Sequence, residues 1–338
     1  MGLELSATDE FYFQWHITER CNKSCLHCYQ NGHPLRELPL ADLELILKFM
    51  DKALTKWDRL GSLSFTGGEP FVRQNDLFTL MDKVDHIDSI AYYDILTNGS
   101  LISDDITRVL KSHRKLRRMQ VSLEGSSPAI NDAIRGEGSY HETLAAIRRM
   151  KKHGLTVSVM TTVSRINRHD IPSLIELLDS EGVDTFSIER LIPEGRGTVL
   201  RHQLLSPQEL KELYESVYEI ALQKHTMHIL LYRPLFTLVA PDDIYVGALC
   251  SAGNNALTIM PDGTVYPCRR LPIPIGNVLR DGLFAIWYNS EVLWKIRNPS
   301  NLGGKCRDCY LLANCRGCRA MAYACTGDYM AGDPQCWS

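Results

Sequence analysis

The sequence lacks a large excess of charge of either sign. It contains 37 lysines and arginines and 40 aspartates and glutamates, which give a formal net charge of −3. Without a strongly basic field, the chain is not predicted to bind nucleic acid. No apolar run approaches the roughly 18–20 residues that a membrane-spanning helix needs, and no secretory signal peptide is recognisable. The sequence therefore predicts a cytoplasmic protein that has neither a membrane nor a nucleic acid as a partner.

Cysteine is absent between residues 29 and 249, although the chain contains 11 cysteines. Three of them lie within residues 21–28, and eight lie from Cys250 onward. An odd number of cysteines without a secretion signal argues against a disulfide scaffold. Thiolates that cluster in this way in a reducing compartment are typical of metal ligands.

Short apolar runs alternate with amphipathic segments from residue 11 to about residue 190. The predicted strands are Phe11–Thr18, Leu60–Thr66, Ile90–Leu96, Met119–Leu123, Thr156–Val163 and Thr185–Leu191. The predicted helices between them are Leu40–Lys56, Gln74–Val84, Asp104–Lys115, His141–His153 and Ile171–Ser180. Such alternation predicts βα units around a parallel sheet. Six units are too few for a closed eight-stranded barrel of about 250 residues, so we predict an α/β fold with a partial (β/α)6 TIM-like barrel.

The chain divides into three predicted regions, which are the barrel over residues 1–195, a helical bridge over 196–240 and a cysteine-rich domain over 241–338. In the bridge, Leu205–Gln223 has the pattern of a helix, with Ser206 as its cap and Pro207 at its first position. From Cys250 onward the chain is rich in Gly, Pro and Cys and has few long helical patterns. Metal cross-links would supply the stability that so small a core lacks.

Cys21, Cys25 and Cys28 form a CX3CX2C run directly after the first predicted strand, where parallel α/β folds carry their sites. Cubane [4Fe–4S] clusters normally take four thiolates, so three on one short loop would leave one iron free to bind another ligand. The alternatives are a structural zinc knuckle or buried core cysteines. Zinc sites usually close with a second pair of ligands, and no cysteine follows before Cys250.

The CX3CX2C run resembles the signature of the radical S-adenosylmethionine (SAM) enzymes, a family with a partial (β/α)6 barrel. The resemblance implies that the open iron of a [4Fe–4S] cluster binds the amino and carboxylate groups of SAM. It further implies that an electron from the cluster cleaves SAM to methionine and a 5′-deoxyadenosyl radical, while the protein supplies binding and orientation. His27, beside the third cysteine, is expected to pack against the cluster or the adenine rather than to act as a ligand.

Two segments that follow predicted strands resemble further motifs of this family. Gly67, Gly68, Glu69 and Pro70 match the GGEP motif, which holds the amino group of SAM. The glycines let a ligand approach the backbone closely, and the Glu69 carboxylate can accept from an ammonium group. Thr97 and Asn98 match the TNG segment that lies close to bound SAM. Either segment could instead be an ordinary turn.

The fourth predicted strand leads into a Ser-Leu-Glu-Gly segment that also resembles the family. By this resemblance, Ser122 and Glu124 are candidates for binding the ribose hydroxyls of SAM. Arg135 matches the arginine of the family's DXXRG pattern, which neighbours the SAM carboxylate, and a guanidinium suits bidentate binding of that group. The alternative for Arg135 is a solvated charge at a helix end. Adenine contacts would fall at Val163 and at the turn over residues 192–197.

The C-terminal cysteines follow two spacing patterns. Cys250 and Cys268 read CX12GX4C, and Cys306, Cys309, Cys315 and Cys318 read CX2CX5CX2C, with Cys325 and Cys336 beyond them. Both patterns resemble the SPASM domain, a C-terminal extension of radical SAM enzymes that binds auxiliary [4Fe–4S] clusters. The usual last spacing is CX3C, so this chain departs from the pattern by one residue.

The resemblance implies two auxiliary clusters. Their ligands would be Cys306, Cys309, Cys315 and Cys336 for a distal cluster, and Cys250, Cys268 and Cys318 for a cluster nearer the barrel. Cys325 could supply a fourth ligand to the nearer cluster, or one iron could stay open for the substrate. Zinc is the alternative, because the CX2CX5CX2C quartet would suit a zinc ribbon, although its gap of five residues is short for one.

The family resemblance favours an enzyme over an electron-transfer or zinc-structural protein, which would leave the GGEP, Ser122–Gly125 and Arg135 matches unexplained. SPASM enzymes most often modify ribosomally made peptides by oxidation or by forming a C–S, C–C or C–O bond, and this peptide-maturase activity is the leading hypothesis. Anaerobic sulfatase maturation, which makes formylglycine, is an alternative. Removal of tetrapyrrole side chains is another, because the tail also resembles the tails of haem-modifying enzymes and of the pyrroloquinoline-quinone maturase.

The resemblance implies a peptide or protein substrate and an electron donor such as a flavodoxin or a ferredoxin. A leader-binding domain would need roughly 80 residues before the first strand, where about ten are present. The barrel mouth, the SPASM domain or a separate leader-peptide-binding protein is therefore expected to recognise a peptide. The spacing of residues identifies no catalytic acid or base.

Overall fold

The computed structural model describes residues 10–30 and 36–338, and the first nine residues of the predicted barrel region lie outside this range. The described strands are β1 (Glu10–Thr18), β2 (Leu60–Gly67), β3 (Ile90–Thr97), β4 (Leu116–Ser122), β5 (Val157–Val163), β6 (Thr185–Arg190), β7 (His228–Leu230), β8 (Ala256–Ile259), β9 (Thr264–Tyr266) and β10 (Gly276–Asn277). The described α-helices are α1 (Leu40–Trp57), α2 (Gln74–Val84), α3 (Asp104–Ser112), α4 (Pro128–Arg135), α5 (Ser139–Lys152), α6 (Ile171–Ser180), α7 (Pro207–Ala221), α8 (Val278–Asp281), α9 (Leu283–Asn289), α10 (Glu291–Arg297) and α11 (Arg319–Thr326). Short 3-10 helices cover Pro70–Arg73, Gly195–Gln203, Pro234–Leu238, Pro299–Asn301 and Gly304–Cys306.

The described strands form one sheet in the order β10-β9-β8-β1-β2-β3-β4-β5-β6-β7. Strands β1 to β7 pair in parallel with their sequence neighbours, and β8 pairs in parallel with the other edge of β1. Strands β9 and β10 continue the sheet in antiparallel fashion. The predicted α/β fold with a mostly parallel sheet is confirmed, with β7 and β10 at the two ends of the strand order.

Alternating side chains give this sheet two different faces. On β1, Phe11, Phe13 and Trp15 are fully buried and belong to the same core cluster as residues of helix α1. The residues between them lie on the opposite face, which we call the inner face. That face carries polar side chains, since the Tyr12 hydroxyl donates a hydrogen bond to the Ser64 hydroxyl on β2 at 2.8 Å. The carboxyl ends of β1 to β6 form one rim of the sheet.

The six predicted strands are all present, with shifts at their ends. Strand β4 begins at Leu116, three residues before its predicted start. Helix α4 was not predicted, because eight residues are too few to show a clear helical period. Helix α7 begins at Pro207, and the Ser206 hydroxyl accepts from the Glu209 amide at 3.2 Å. The predicted cap of this helix is therefore confirmed.

The cysteine-rich region begins by extending the barrel sheet. Strand β8 lies beside β1 with Tyr12 opposite Ala256 and Trp15 opposite Ile259. Beyond it, helices α8 to α11 have only four to eight residues each. The predicted domain boundaries at 195 and 240 remain predictions. Within the residues that the structure describes, no helix combines the length and apolar character that crossing a membrane requires.

Candidate SAM and iron–sulfur site

The loop that carries Cys21, Cys25 and Cys28 leaves the end of β1 and is held on one side by the GGEP segment. The Gly68 amide donates to the Thr18 carbonyl at 2.9 Å, and the Glu69 amide donates to the Arg20 carbonyl at 2.9 Å. A Cβ atom on Gly67 or on Gly68 would lie 2.2 Å from the Thr18 or the Arg20 carbonyl oxygen, respectively. Both positions therefore require glycine, because the two backbones touch.

The opposite side of the cysteine loop is held by the turn over residues 192–197. The Gly197 amide donates to the Cys28 carbonyl at 2.9 Å, and the Arg196 amide donates to the Gln30 carbonyl at 3.2 Å. A Cβ on Gly195 would lie 2.3 Å from the Tyr29 carbonyl carbon. This turn was predicted to contact adenine, and its backbone packing against the cysteine loop was not foreseen.

Glu69 lies at the centre of a buried hydrogen-bond network. Its carboxylate accepts from the Thr97 hydroxyl at 2.8 Å, from the Asn98 amide at 2.7 Å and from the Phe71 amide at 3.2 Å. Burial raises the pKa of Glu69 to about 7, although the three donors act in the opposite direction. The Asn98 side chain in turn lies 3.9 Å from the Cys21 sulfur. The structure thus brings together the GGEP segment, the TNG segment and the first cysteine, as the resemblance predicted.

Arg135 and Glu124 form a buried ion pair with 2.8 Å between Nη1 and Oε1. Glu124 also lies 3.3 Å from Nε2 of His27 and accepts from the Thr162 amide at 2.7 Å. Burial raises the pKa of Glu124, but His27 and then Arg135 outweigh that effect and hold the pKa below its ordinary value. The alternative reading of Arg135 as a solvated helix-end charge is wrong, because only 7% of its side chain is exposed. Ser122 ends strand β4 beside this pair.

Arg135 also lies close to the first cysteine group. Burial raises the pKa of the Cys25 thiol, and the Arg135 guanidinium lowers it. Burial likewise raises the pKa of Cys21. The Leu26 amide donates to the Ile134 carbonyl at 2.9 Å, which ties the cysteine loop to the end of helix α4. Helix α4 therefore supports the loop on a third side.

Six of the eight C-terminal cysteines fall into two neighbourhoods. In one, burial raises the pKa of Cys250 to about 12, and the nearby Cys318 and Cys268 add to the effect. In the other, burial raises the pKa of Cys315 to about 12, and Cys336 and Cys306 contribute in the same direction. This grouping coincides with the ligand sets that the spacing pattern predicted.

Cys309 and Cys325 complete the set of tail cysteines. Cys309 packs against the same core cluster as Cys315 and Cys336. The Cys325 thiol contacts the sulfur of Met321 at 3.6 Å, on the same helix α11. Cys318 is the N-cap of that helix, and seven residues at 1.5 Å each separate the two cysteines by about 10 Å along its axis. Burial raises the pKa of the Cys325 thiol, and the nearby Cys318 adds to the effect, so a role for Cys325 as fourth ligand of the nearer cluster stays a prediction.

Asp333 connects the two neighbourhoods of the tail to the barrel. Its carboxylate accepts from the Cys318 amide at 2.7 Å and pairs with Arg190, at the end of β6, at 2.8 Å. Its amide donates to the Cys306 sulfur at 3.4 Å. Asp333 was not predicted as a site residue, and its only signal in the sequence is its position three residues before Cys336.

The chemistry of these donors fits iron–sulfur clusters. Nothing in the described part of the chain arranges three His, Cys, Asp or Glu side chains around a single-ion site. A cubane distributes its ligands over separate irons, so that its thiolates need not meet at one point. Cys21, Cys25 and Cys28 would hold the cluster that binds SAM, with Glu69 and Arg135 beside them.

Comparison with known proteins agrees with this arrangement. Residues 15–178 match the model of the radical SAM superfamily, and residues 250–319 match an iron–sulfur cluster-binding domain, SPASM. The chain belongs to the radical SAM superfamily. Its C-terminal match places it among the SPASM proteins, which combine a [4Fe–4S] cluster and SAM with auxiliary iron–sulfur clusters.

Individual relatives cover almost the whole chain. The AdoMet-dependent heme synthase of Methanosarcina barkeri is 29% identical, and the match covers 95% of each protein. The mycofactocin maturase MftC of Mycolicibacterium smegmatis is also 29% identical, over 95% of this chain and 81% of the maturase. The structure of Streptococcus suis SuiB bound to its precursor peptide SuiA superposes with a TM-score of 0.78 at 19% identity, over 98% of this chain and 76% of SuiB. At that identity the SuiB likeness establishes the fold alone.

Proposed function

We propose that this protein oxidatively modifies a side chain of a ribosomally synthesised peptide or protein, forming a C–S, C–C or C–O bond or a new double bond. When bound, the cluster and SAM supply a 5′-deoxyadenosyl radical that removes a hydrogen atom from the substrate. In this proposal, Cys21, Cys25 and Cys28 hold that cluster, Glu69 accepts from the SAM ammonium, and Arg135 lies beside the SAM carboxylate.

One observation carries the proposal, which is the link from Cys250, Cys268 and Cys318, here called the second cysteine group, to the rim formed by the strand ends. Arg270, two residues after Cys268, pairs at 2.7 Å with Glu189, near the carboxyl end of β6. Glu189 lies opposite Thr162 in the sheet, and the Thr162 amide bonds to Glu124 of the SAM side. A centre held by Cys250, Cys268 and Cys318 could thus accept the electron that a substrate radical loses as the new bond forms.

Two of the relatives support a peptide as the class of substrate. MftC and the subtilosin biosynthesis protein AlbA match 95% and 90% of this chain. We further propose a flavodoxin or ferredoxin as electron donor, a cytoplasmic location, where thiolates stay reduced, and a separate protein for binding a leader peptide.

Tetrapyrrole side-chain removal is the second candidate. It is favoured by the heme synthases, which match 95% of this chain at 28–29% identity. Maturation of a sulfatase stays a third reading, which the same experiment would reveal as formylglycine in a cysteine- or serine-containing peptide.

The test uses the anaerobically reconstituted protein with SAM, a reductant and each short peptide encoded beside its gene. The expected result is 5′-deoxyadenosine together with a peptide that has lost a pair of hydrogen atoms. The Cys250→Ser variant is expected to form 5′-deoxyadenosine but no modified peptide, because only the auxiliary centre is impaired. A modified tetrapyrrole without any modified peptide would replace the first candidate by the second.

A further inference from the structure

Glu189 lies on the inner face of the sheet between two arginines from different parts of the chain. Its Oε1 lies 2.5 Å from Nε of Arg233, which follows β7, and its Oε2 accepts from Nη1 of Arg270 at 2.7 Å. The neighbouring Phe186 and Ile188 of β6 belong to the core on the other face. The three charged residues, which we call the arginine clamp, therefore lie inside the barrel rather than among the helices.

The arginine clamp has more positive charge and more donors than its own carboxylate can use. Two guanidinium groups face one carboxylate, so these three residues by themselves carry one net positive charge, with the thiolates of Cys268 and Cys318 on the side of Arg270. Each guanidinium has five N–H donors. Within the described residues, Arg270 donates one hydrogen bond, to Glu189, and Arg233 donates one, to the Tyr232 carbonyl at 3.4 Å. Both oxygens of Glu189 are already engaged, so it fixes the two arginines without neutralising them.

The clamp is open to a ligand. The side chains of Arg233 and Arg270 are 38% and 28% exposed, whereas Glu189 behind them is 15% exposed. Part of each arginine side chain is therefore accessible, although Nε of Arg233 is itself buried. Planar guanidinium forks bind carboxylates in bidentate fashion, which makes a carboxylate the anion that this arrangement fits best.

We infer that the arginine clamp binds a carboxylate of the substrate and so directs the substrate between SAM and the second cysteine group. This inference rests on the proposed function and narrows its substrate class to carboxylate-bearing molecules. The carboxylate could belong to an acidic side chain of a peptide or to a propionate of a tetrapyrrole. Both sources present the same chemistry to the clamp.

Arg233 is the residue that distinguishes substrate binding from a purely structural role. After Glu189, the thiolates of Cys268 and Cys318 help to raise the pKa of Arg270. Replacing Arg270 would therefore also disturb the auxiliary centre. Within the described residues, Glu189 is the only ion-pair partner of Arg233. A change at Arg233 should therefore weaken carboxylate binding and leave the iron content unaltered.

The experiment measures binding without SAM, on reconstituted protein, in two arms. One arm uses calorimetric titration to compare acetyl-Gly-Glu-Gly-Glu-Gly-amide with its Gln counterpart, and the other compares protoporphyrin IX with its dimethyl ester. We expect the acid to bind at least tenfold more tightly than the neutral form in one arm, and that arm identifies the source of the carboxylate. Arg233→Gln should lose that preference, Arg233→Lys should keep part of it, and Arg280→Gln, a control on the exposed surface, should keep all of it.

Equal binding of acid and neutral forms, no saturable binding of either acid, or an unchanged preference in Arg233→Gln would each overturn the inference. These outcomes are separate from a failure of the proposed function. A protein that forms a modified peptide but shows no carboxylate preference would refute the clamp alone. A protein that shows the preference but never forms 5′-deoxyadenosine would refute the radical chemistry alone.

Discussion

The guanidinium of Arg269 lies over the ring of Tyr29, with 4.7 Å between its central carbon and the ring centroid. Tyr29 directly follows Cys28, and Arg269 directly follows Cys268. Arg269 also lies 3.7 Å from the carboxylate of Glu19, just before the first cysteine loop. One cation–π contact thus joins the loop of the SAM-side cysteines to the segment after β9 that carries Cys268.

Replacing Tyr29 tests whether this contact stabilises the junction. Tyr29→Leu removes the ring and should lower the free energy of unfolding by about 1–2 kcal/mol, the range of a partly desolvated cation–π pair. Tyr29→Phe keeps the ring and should change it little. Urea unfolding, followed by circular dichroism on samples of equal iron content, measures both values. An equal loss in the two variants would assign the effect to the hydroxyl instead.

Iron analysis tests the assignment of the cysteines. Three cubanes would give about 12 irons per chain. Cys25→Ala should lose about four of these irons and all reductive cleavage of SAM, while the tail clusters remain. Cys325→Ala should also keep the SAM-side cluster, and its iron content relative to the parent protein shows whether Cys325 is a ligand of the cluster nearer the barrel. SAM cleavage by Cys25→Ala would refute the SAM-side assignment, and zinc in place of iron would refute the tail assignment.

The affinity for SAM should depend on the ionisation of Glu69. Burial raises the pKa of Glu69 to about 7, so its carboxylate gains a proton as the pH falls through that value. A protonated carboxyl attracts the SAM ammonium less, and SAM should therefore bind more weakly below pH 7 than above it. Isothermal titration across this range measures the trend.

Glu69→Gln provides the control for that titration. The variant should bind SAM at least tenfold more weakly and lose the pH dependence around 7. It should also be less stable, because its amide would turn a donor toward the Thr97 hydroxyl or the Asn98 amide, at a cost of about 1–3 kcal/mol. Retention of the same pH trend in the variant would assign the titration to another group.

The ion pair of Arg135 with Glu124 should matter far more than a surface pair. Arg135→Met leaves a buried carboxylate with one partner fewer and should cost about 3–5 kcal/mol. Arg148→Met breaks the pair with Glu181, whose arginine is 62% exposed, and should cost at most about 1 kcal/mol. Denaturant unfolding of the two variants measures the difference. Equal losses would contradict the buried role of Arg135.

The chemistry-bearing segments of the barrel could be predicted because each follows a strand. In a parallel sheet all strand ends meet at one rim, so Glu69 and Asn98 were expected near the cysteine loop before any contact was known, whereas the expected place of Arg135 came from the family resemblance. Helix α4 escaped prediction because it is short, and with it the burial of Arg135 was missed. Burial depends on neighbours that are distant in sequence, and no local pattern reports it.

The cysteine-rich region likewise combines features that could be predicted from the sequence with features that could not. The resemblance to the SPASM domain implied two ligand sets with seven members, and the structure places six of these cysteines in two matching neighbourhoods. The part of Asp333 in linking Cys318 to Arg190 could not be predicted, since 143 residues separate Asp333 from Arg190. The arginine clamp could not be predicted either, because its members come from β6, the segment after β7 and the cysteine-rich region.

The sequence alone determined which residue types are available for this chemistry and at which strand ends they lie, because cysteine spacing and strand–helix alternation are local properties of the chain. Only the tertiary structure decided which charges are buried together, which backbone segments touch the cysteine loop and which arginines keep donors to spare. Those properties depend on the distances between segments that are far apart along the chain, and these distances are fixed only when the sheet and its C-terminal extension pack against each other.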